Sequence, residues 1–566
     1  MAHRLSDSKD IMLQDTTNVS VTSGNHDEET SDIADGAWGG EKIPDSEYLT
    51  GWKLHVLSAA LLLALFAVQM EATIVSTSVI AITNELRGFA ISSWIFTGFL
   101  LTYSGFVIIW AKLSDIYGRK PLLLASLFIF TAFSGGCGAA QSLTQLIVCR
   151  CLQGLGASGV YSLVIIIFFE MVPPHAFPKY TAIVTMSITM STTFGPLIGG
   201  AINNHTTWRW VFLLNCPLGA LSLLGLIIFM PTVFPNQRYV AQMSNNPPPS
   251  KFSLQSLNRI DGIGAMLLLG AGVLLITALQ QAADGKSFAA AMVLPLLVIS
   301  GVMWVAFVGW SWFVTTKRTL PEPIFPWRFI ESRVCIGLVL NTFFTGTIIT
   351  VATIQIPQRF QTVNGNSAFI AGCRLIPFSI MVPMGAVISA LIIGKTRIPP
   401  IYFLFAGGLL EIAGTAGLCV TPTTWKIWAP QYVFQILAGT GVGFFNGTLT
   451  LLVPFVVEKR DLGVGTGAVA QFKVLGGMAI LAVVTSVMNR VIRSELESVL
   501  PTEQVQLLLE TTNVITKFPP EIQEQVRHIF GRGYNLQMKI MIGFGAAQIP
   551  STMLMWTKKP IMVEKK

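Results

Sequence analysis

Charge is scarce in this chain of 566 residues: acidic and basic residues together make up 12%, about half the ~25% of a soluble globular domain. Histidine is rare too, with six in all, and none is paired at metal-ligating spacing. Seven cysteines, at 137, 149, 151, 216, 335, 373 and 419, stand singly inside apolar stretches. They read as small buried apolar side chains rather than ligands or a disulfide framework. No Gly-x-x-x-x-Gly-Lys-Ser/Thr phosphate loop and no nucleophile constellation occurs, which argues against ATP-driven chemistry and against an enzyme. Catalytic residues, metals and cofactors are therefore expected to be none. A basic start followed by a short apolar core is missing as well, so no cleavable signal peptide is expected.

Hydrophobic residues fill the space that charge leaves, at 52% of the chain, with a mean hydropathy of +0.62. Stretches of about 20 apolar residues, enough to span ~30 Å of hydrocarbon, recur fourteen times. They fall near 54–76, 91–111, 121–140, 145–169, 180–202, 210–230, 263–281, 290–313, 334–356, 368–394, 399–419, 428–453, 463–488 and 537–557. The chain reads as an all-α integral membrane protein. Its seventh and eighth stretches are parted only by Ala282–Ser287, and the fourteenth stands alone.

Basic residues collect on cytoplasmic loops. The even-numbered short loops hold Lys112, Arg119, Lys120, Lys179, Arg238, Lys251, Arg259, Lys317, Arg318, Arg328, Arg333, Lys395, Arg397, Lys459 and Arg460; the odd-numbered ones hold Arg87, Arg209, Lys286, Arg359 and Lys426. This asymmetry places the even loops and both termini in the cytoplasm. The net charge of +8 is then a topological signal that edges membrane helices, and nucleic acid is excluded as a partner.

Residues 1–50 are acidic and poor in large apolar side chains, so they cannot form a core and read as a disordered cytoplasmic tail. Residues 231–262 read as a cytoplasmic linker, residues 489–536 as one long external loop and 558–566 as a basic cytoplasmic tail. Glu503–Thr511 and Glu521–Phe530 have helix-like apolar spacing, and a small lid and a passive connector fit them equally. Asn204-His-Thr206 is an external glycosylation acceptor in this topology; the sequon at Asn18 is cytoplasmic.

A few polar residues inside the apolar stretches carry the chemistry. Glu71 lies deep in the first stretch, where an unpaired carboxylate tends to hold a proton; a hydrogen-bonded structural acid is the bland alternative. Arg150 lies in the fourth, where insertion costs roughly 2.5–3.5 kcal/mol. It must face a cavity or an acid, or else snorkel to the outer surface. Gly195 and Gly199 make a small-residue ridge on the fifth stretch, where another helix can approach closely, and Pro196 removes a backbone donor there. Glu411, Lys473 and Arg374 are cavity-lining or packing residues with equal weight. Phe, Trp and Met, at 36, 13 and 20, would suit an adaptable lining, though membrane helices are rich in them anyway.

The loop Ala111-Lys-Leu-Ser-Asp-Ile-Tyr-Gly-Arg-Lys-Pro121 joins the second and third stretches. Asp115 and Arg119 are spaced to pair on a helical turn, and Gly118 permits a tight turn. It resembles the signature loop of major facilitator transporters, Gly-x-Leu-Ala-Asp-Arg-x-Gly-Arg-Lys-Pro. It matches at Leu113, Asp115, Gly118, Arg119, Lys120 and Pro121 and departs at Ala111 and Ile116. The resemblance implies a conformational latch made by Asp115, Gly118, Arg119 and Lys120, loosened here by the missing middle arginine.

Four further stretches resemble the same family. Arg150-Cys-Leu-Gln-Gly-Leu-Gly-Ala157 matches a family motif at Arg150, Gln153, Gly154 and Gly156, which implies proton coupling for the arginine and a place on the cavity for Gln153. Gly195-Pro-Leu-Ile-Gly-Gly200 is similar to the antiporter motif of exporters, through Gly195, Pro196, Gly199 and Gly200. Met70–Thr77 is similar to the first helix of fourteen-helix drug:proton antiporters, with Glu71 for their Asp, and Gln471–Gly477 and Trp208–Gly219 match further patterns. Pro321–Phe325 and Phe360–Ser367 resemble fungal toxin- and secondary-metabolite-efflux pumps in particular.

The resemblance implies the major facilitator fold: a six-helix bundle over 51–230, two extra helices over 263–313 and a second six-helix bundle over 334–557. It implies an exporter of a small organic compound, a toxin, drug or secondary metabolite, working as a monomer by proton antiport with Glu71 and Arg150 in the coupling. The expected partners are that substrate, protons and the bilayer. The expected place is the plasma membrane, with a vacuolar or vesicle membrane as alternative. An importer of a nutrient or metal chelate would share the fold.

Overall fold

The computed structural model describes residues 48–75, 78–86, 94–232 and 259–317 except 284, then 321–458 except 397, 461–501 and 518–562, with isolated positions at 234, 503–505, 508 and 515. Most of the expected tail 1–50 and linker 231–262 therefore lies outside the described residues.

The apolar stretches become helices α1 Gly51–Ile74, α2 Val79–Leu86, α3 Trp94–Tyr117, α4 Arg119–Ala139, α5 Leu143–Met171, α6 Phe177–His205, α7 Arg209–Leu213 and α8 Asn215–Phe229. There follow α9 Gly262–Ala283, α10 Leu294–Lys317, α11 Arg328–Glu331, α12 Arg333–Thr362, α13 Ala368–Lys395, α14 Pro400–Cys419, α15 Gln431–Val456, α16 Leu462–Leu496 and α17 Pro520–Leu554. No strand forms among the described residues. Start signals are local: the hydroxyls of Ser142, Ser332 and Ser367 accept from the backbone N–H groups of Gln145, Cys335 and Ile370, satisfying donors that a first turn leaves open. Gly118, at φ 97°, makes the turn between α3 and α4, a backbone region that a side chain would strain.

Among the described residues thirteen spans are long and apolar enough to cross a membrane, α7 and α8 counting as one. The fourteenth stretch expected, 537–557, is the second half of α17. Gln537, Lys539, Gln548, Ser551 and Thr552 make it less apolar than the others. Two of these turn inward, Gln548 donating to Thr345 and Thr552 to Asn341 of α12, both at 3.3 Å.

Helices α1 and α3–α8 pack as one bundle and α12–α17 as another, while α9 and α10 pair and lean on α3 and α16 at the seam. Lipid gives no hydrophobic drive between helices, so small residues set the close approaches. A Cβ on Gly156 would lie 2.4 Å from Phe130 N on α4, and one on Gly476 would lie 2.3 Å from the Phe343 carbonyl oxygen on α12.

The bundles touch firmly at the end that carries Lys112, Arg119, Lys120 and Lys395, the basic end. There Phe177 meets Phe455 edge-on at 6.0 Å, Pro178 lies 3.1 Å from where a Gly394 Cβ would be, and a Cβ on Gly467 would lie 2.9 Å from that of Ala111. At the opposite end α6 and α13 part around an apolar cleft lined by Met186, Met190, Phe194, Ile380 and Met384.

The long loop expected over 489–536 is shorter, because α16 runs on to Leu496 and α17 begins at Pro520. Ile492, Leu496, Leu500, Val526, Ile529, Phe530 and Tyr534 form a small apolar core there, joined by Val505, Leu508 and Ile515. Packing against this core favours a folded cap over a passive connector.

Candidate functional site: a buried ion pair and an inter-bundle seam

Five elements of the first bundle converge on one polar cluster. Glu71 of α1 and Arg150 of α5 are both fully buried, and the guanidinium Nη1 donates to the Glu71 carboxylate. Nη1 also donates to Gln153 Oε1 at 2.8 Å and Nε to the Ile95 carbonyl at 3.0 Å. Asn215, at the start of α8, donates to the other Glu71 oxygen at 2.5 Å. Gln153 donates to Ser134 of α4 at 2.7 Å. The Phe99 ring covers the guanidinium at 4.2 Å. Of the two fates open to Arg150, the acid partner is the one realised, and snorkelling is excluded by its burial. A buried ion pair balances a large desolvation cost against attraction in a medium that screens little.

The ridge residue Gly195 brings α6 onto this cluster. A Cβ there would fall 2.1 Å from Thr73 Oγ1 and 3.1 Å from the Met70 carbonyl, on either side of Glu71. Gly199 is buried as well. Gly200 faces open space, so the close approach rests on Gly195. The side chains of Pro196 and Asn204 lie outside the described residues.

At the basic end Arg119 is held by two acids. Its Nη1 lies 2.6 Å from Asp115 and its Nη2 2.7 Å from Glu170 of α5, with Nε bonding both Glu170 oxygens at 3.1 and 3.2 Å. Asp115 reaches the other bundle: a Cβ on Gly463, in the first turn of α16, would lie 2.7 Å from its Oδ1. Helix starts carry partial positive charge, which favours a carboxylate there. Lys120 acts within its own bundle instead, donating to the Ile227 and Met230 carbonyls at the end of α8 at 2.9 and 2.7 Å.

Glu322, in the loop before α11, joins Lys112 of α3 and Arg259 at 2.6 Å each. Although burial alone would raise its pKa, the two cations hold its carboxyl below the ordinary range. Asp461 and Arg328 pair beside it at the start of α16, and Gln471 accepts from the Ile108 backbone at 3.2 Å.

Between the bundles a narrow space is lined by Tyr161, Thr185, Thr345, Asn446, Thr466 and Lys473, among others. Lys473 donates to Asn446 at 2.6 Å. Two residues expected to line it do not. Gln153 belongs to the Glu71 cluster. Glu411 is buried inside the second bundle, where Gly441 of α15 closes on it so tightly that a Cβ would lie 2.6 Å from its Cγ. Arg374 bonds the Tyr432 hydroxyl at 2.9 Å near Phe360.

Sequence reasoning passed over Glu170, Asn215, Ser134, Glu322 and Asp461. Asn215 stands inside Trp208–Gly219, so a signal existed. Glu322 stands inside Pro321–Phe325, a signal of the same kind; Ser134 lies within α4, and Glu170 and Asp461 sit at helix ends, where an isolated polar residue carries none.

Two bundles of membrane-length helices meeting around a space, with charge pairs gathered at one end, define a membrane transporter. A profile of the Major Facilitator Superfamily matches residues 61–481, and the chain belongs to that family, whose members are transporters rather than enzymes. It is 39% identical over 516 residues, 91% of this chain and 85% of the other, to the MFS-type transporter FPY5 of Fusarium mangiferae. It is 27% identical over 455 residues, 80% of each, to the rubrofusarin-specific efflux pump aurT of Gibberella zeae. The fold is similar to that of the proton:xylose symporter XylE, with a TM-score of 0.53 at 13% identity over 91% of this chain and 97% of the other.

Proposed function

We propose that this transporter exports a small organic compound, a secondary metabolite, toxin or drug, in exchange for protons. One relationship carries the reading: the buried Glu71–Arg150 pair lies where α6, bearing Gly195–Gly200, presses on α1. A carboxylate that is paired in one arrangement of the helices and released in another can take up a proton at one face and lose it at the other. Efflux pumps among the chain's relatives support the outward direction.

In this reading the basic end is cytoplasmic, the membrane is the plasma membrane and one chain suffices. The bundles rock about the space lined by Lys473 and Asn446, as in alternating access. Asp115, Arg119 and Glu170 close the cytoplasmic end, with Gly118 shaping the turn. A proton arriving from outside protonates Glu71 and frees Arg150, and the rearrangement of α1 and α6 carries the cargo outward. Direction is tested in sealed vesicles of both orientations with a fluorescent planar metabolite as cargo. Export requires uptake into inside-out vesicles only; uptake into right-side-out vesicles contradicts it.

A further inference from the structure

A second arginine, in the last turn of α12, is buried without an acid. Arg359 donates from Nη1 to Asn535 Oδ1 at 2.5 Å and from Nη2 to the Thr421 and Pro422 carbonyls, both at 3.1 Å. All three acceptors are neutral, and a guanidinium keeps its proton in proteins. Among the described residues no carboxylate pairs with it, and its positive charge stands uncompensated. Its relation to lipid thus differs from that of Arg150, whose charge Glu71 cancels.

A small cavity lies against this guanidinium, inside the second bundle and away from the space between bundles. Gln355, Gln431, Gln435 and Tyr534 supply its polar lining and no acid does. Gln435 is fully buried, and neither end of its amide has a hydrogen-bond partner among the described residues. Thr362 Oγ1 gives its one hydrogen to the Gln358 carbonyl at 2.9 Å, so at 3.3 Å from the Tyr534 hydroxyl it accepts that group's hydrogen. Gln431 opens α15 and Gln435 stands one turn on, so the positive end of a helix adds to the same corner. Unfilled donors at this depth are costly.

We propose that this cavity binds one small monovalent inorganic anion of chloride or bromide size, held by Arg359 and Gln435. Water could satisfy the donors, but only an anion also neutralises the guanidinium. The carboxylate of an organic cargo is excluded by place, since Ile356, Leu418 and Met538 wall the cavity within the bundle. A bound ion would tie α12, α14, α15 and α17 together at the end away from the basic loops. The proposal does not depend on the direction of transport or on proton coupling.

The test is thermal unfolding of the purified full-length protein in detergent, with sodium gluconate replaced stepwise by sodium chloride or bromide at constant ionic strength. Binding predicts a rise in Tm that grows with the logarithm of halide concentration and reaches roughly 1–2 °C at tenfold the dissociation constant. The rise is lost in Arg359→Gln and Gln435→Leu and kept in Arg532→Gln, which removes an exposed arginine. No rise in the unaltered protein, or an equal rise in Gln435→Leu, overturns the proposal. Gln435→Leu decides the matter even if Arg359→Gln does not fold.

Discussion

The Arg150 guanidinium rests on the Glu71 carboxylate although the two residues lie 79 positions apart, and neither is exposed. Each alone would be an expense inside the bilayer. Together with Asn215, Gln153 and the Ile95 carbonyl they form a neutral cluster that pins α1, α3, α5 and α8 to one another. A pair of this kind adds little net stability, yet breaking it from one side leaves a charge with nothing opposite.

That asymmetry gives a first expectation. Arg150→Met and Glu71→Leu should each destabilise the first bundle by about 3–5 kcal/mol, whereas the double variant should cost far less than their sum. Thermal unfolding of the three purified variants measures the cycle, and additive losses would deny the coupling.

A covalent bond across the basic end should arrest transport. A Cβ on Gly467 would lie 2.9 Å from the Ala111 Cβ across the two bundles, so Ala111→Cys with Gly467→Cys should crosslink under mild oxidation. Cargo flux should fall to background and return on reduction; crosslinked protein that still transports would mean that this end never opens.

The latch itself should weaken when its inward acid is neutralised. Glu170→Gln removes the negative charge behind three of the contacts to Arg119, and Gly463→Ala places a methyl against Asp115. Both should raise alkylation of a cysteine introduced at the seam, by several-fold. Ile116→Arg should move accessibility the other way, supplying the cation that the family usually has; unchanged labelling in all three would contradict the latch.

Glu322 gives a pH dependence with a definite sign. Its carboxyl is held below the ordinary value of 4.5 by Lys112 and Arg259, against the pull of burial. A depressed carboxylate contributes stability above its unfolded value and loses it as pH falls through the folded one. The loss of Tm in Glu322→Gln should thus be constant from pH 6 to 8 and shrink as pH drops below about 4. A penalty that grows on acidification would contradict the clasp.

Much of this was legible because a membrane helix needs little beyond length and apolarity. The expected stretches and the observed spans agree to within a few residues at most ends, and α16 and α17 differ because their outer turns fold on each other through Ile492 and Phe530 rather than in lipid. Arg150 was legible as a residue requiring an acid or a cavity, and Glu71 as an acid. Their union was not, since pairing across 79 positions depends on how α1 and α5 meet. Glu170 was hidden by its place at the end of an apolar run, and Lys120 was misread because a motif does not say which helix end a cation will cap. Glu411 shows the reverse case: an acid in a span need not face the path.

The central claim is that Glu71 carries the exchanged proton, and flux driven by an imposed pH gradient tests it most directly. Purified protein in proteoliposomes, loaded with a fluorescent planar metabolite, should move it against its own gradient when protons run the other way, and should acidify the compartment that the cargo leaves. Glu71→Gln, of nearly the same shape, should abolish the gradient-driven component while leaving exchange of cargo for cargo. Gradient-driven transport that survives in Glu71→Gln, with protein folded and at equal density, would contradict the account.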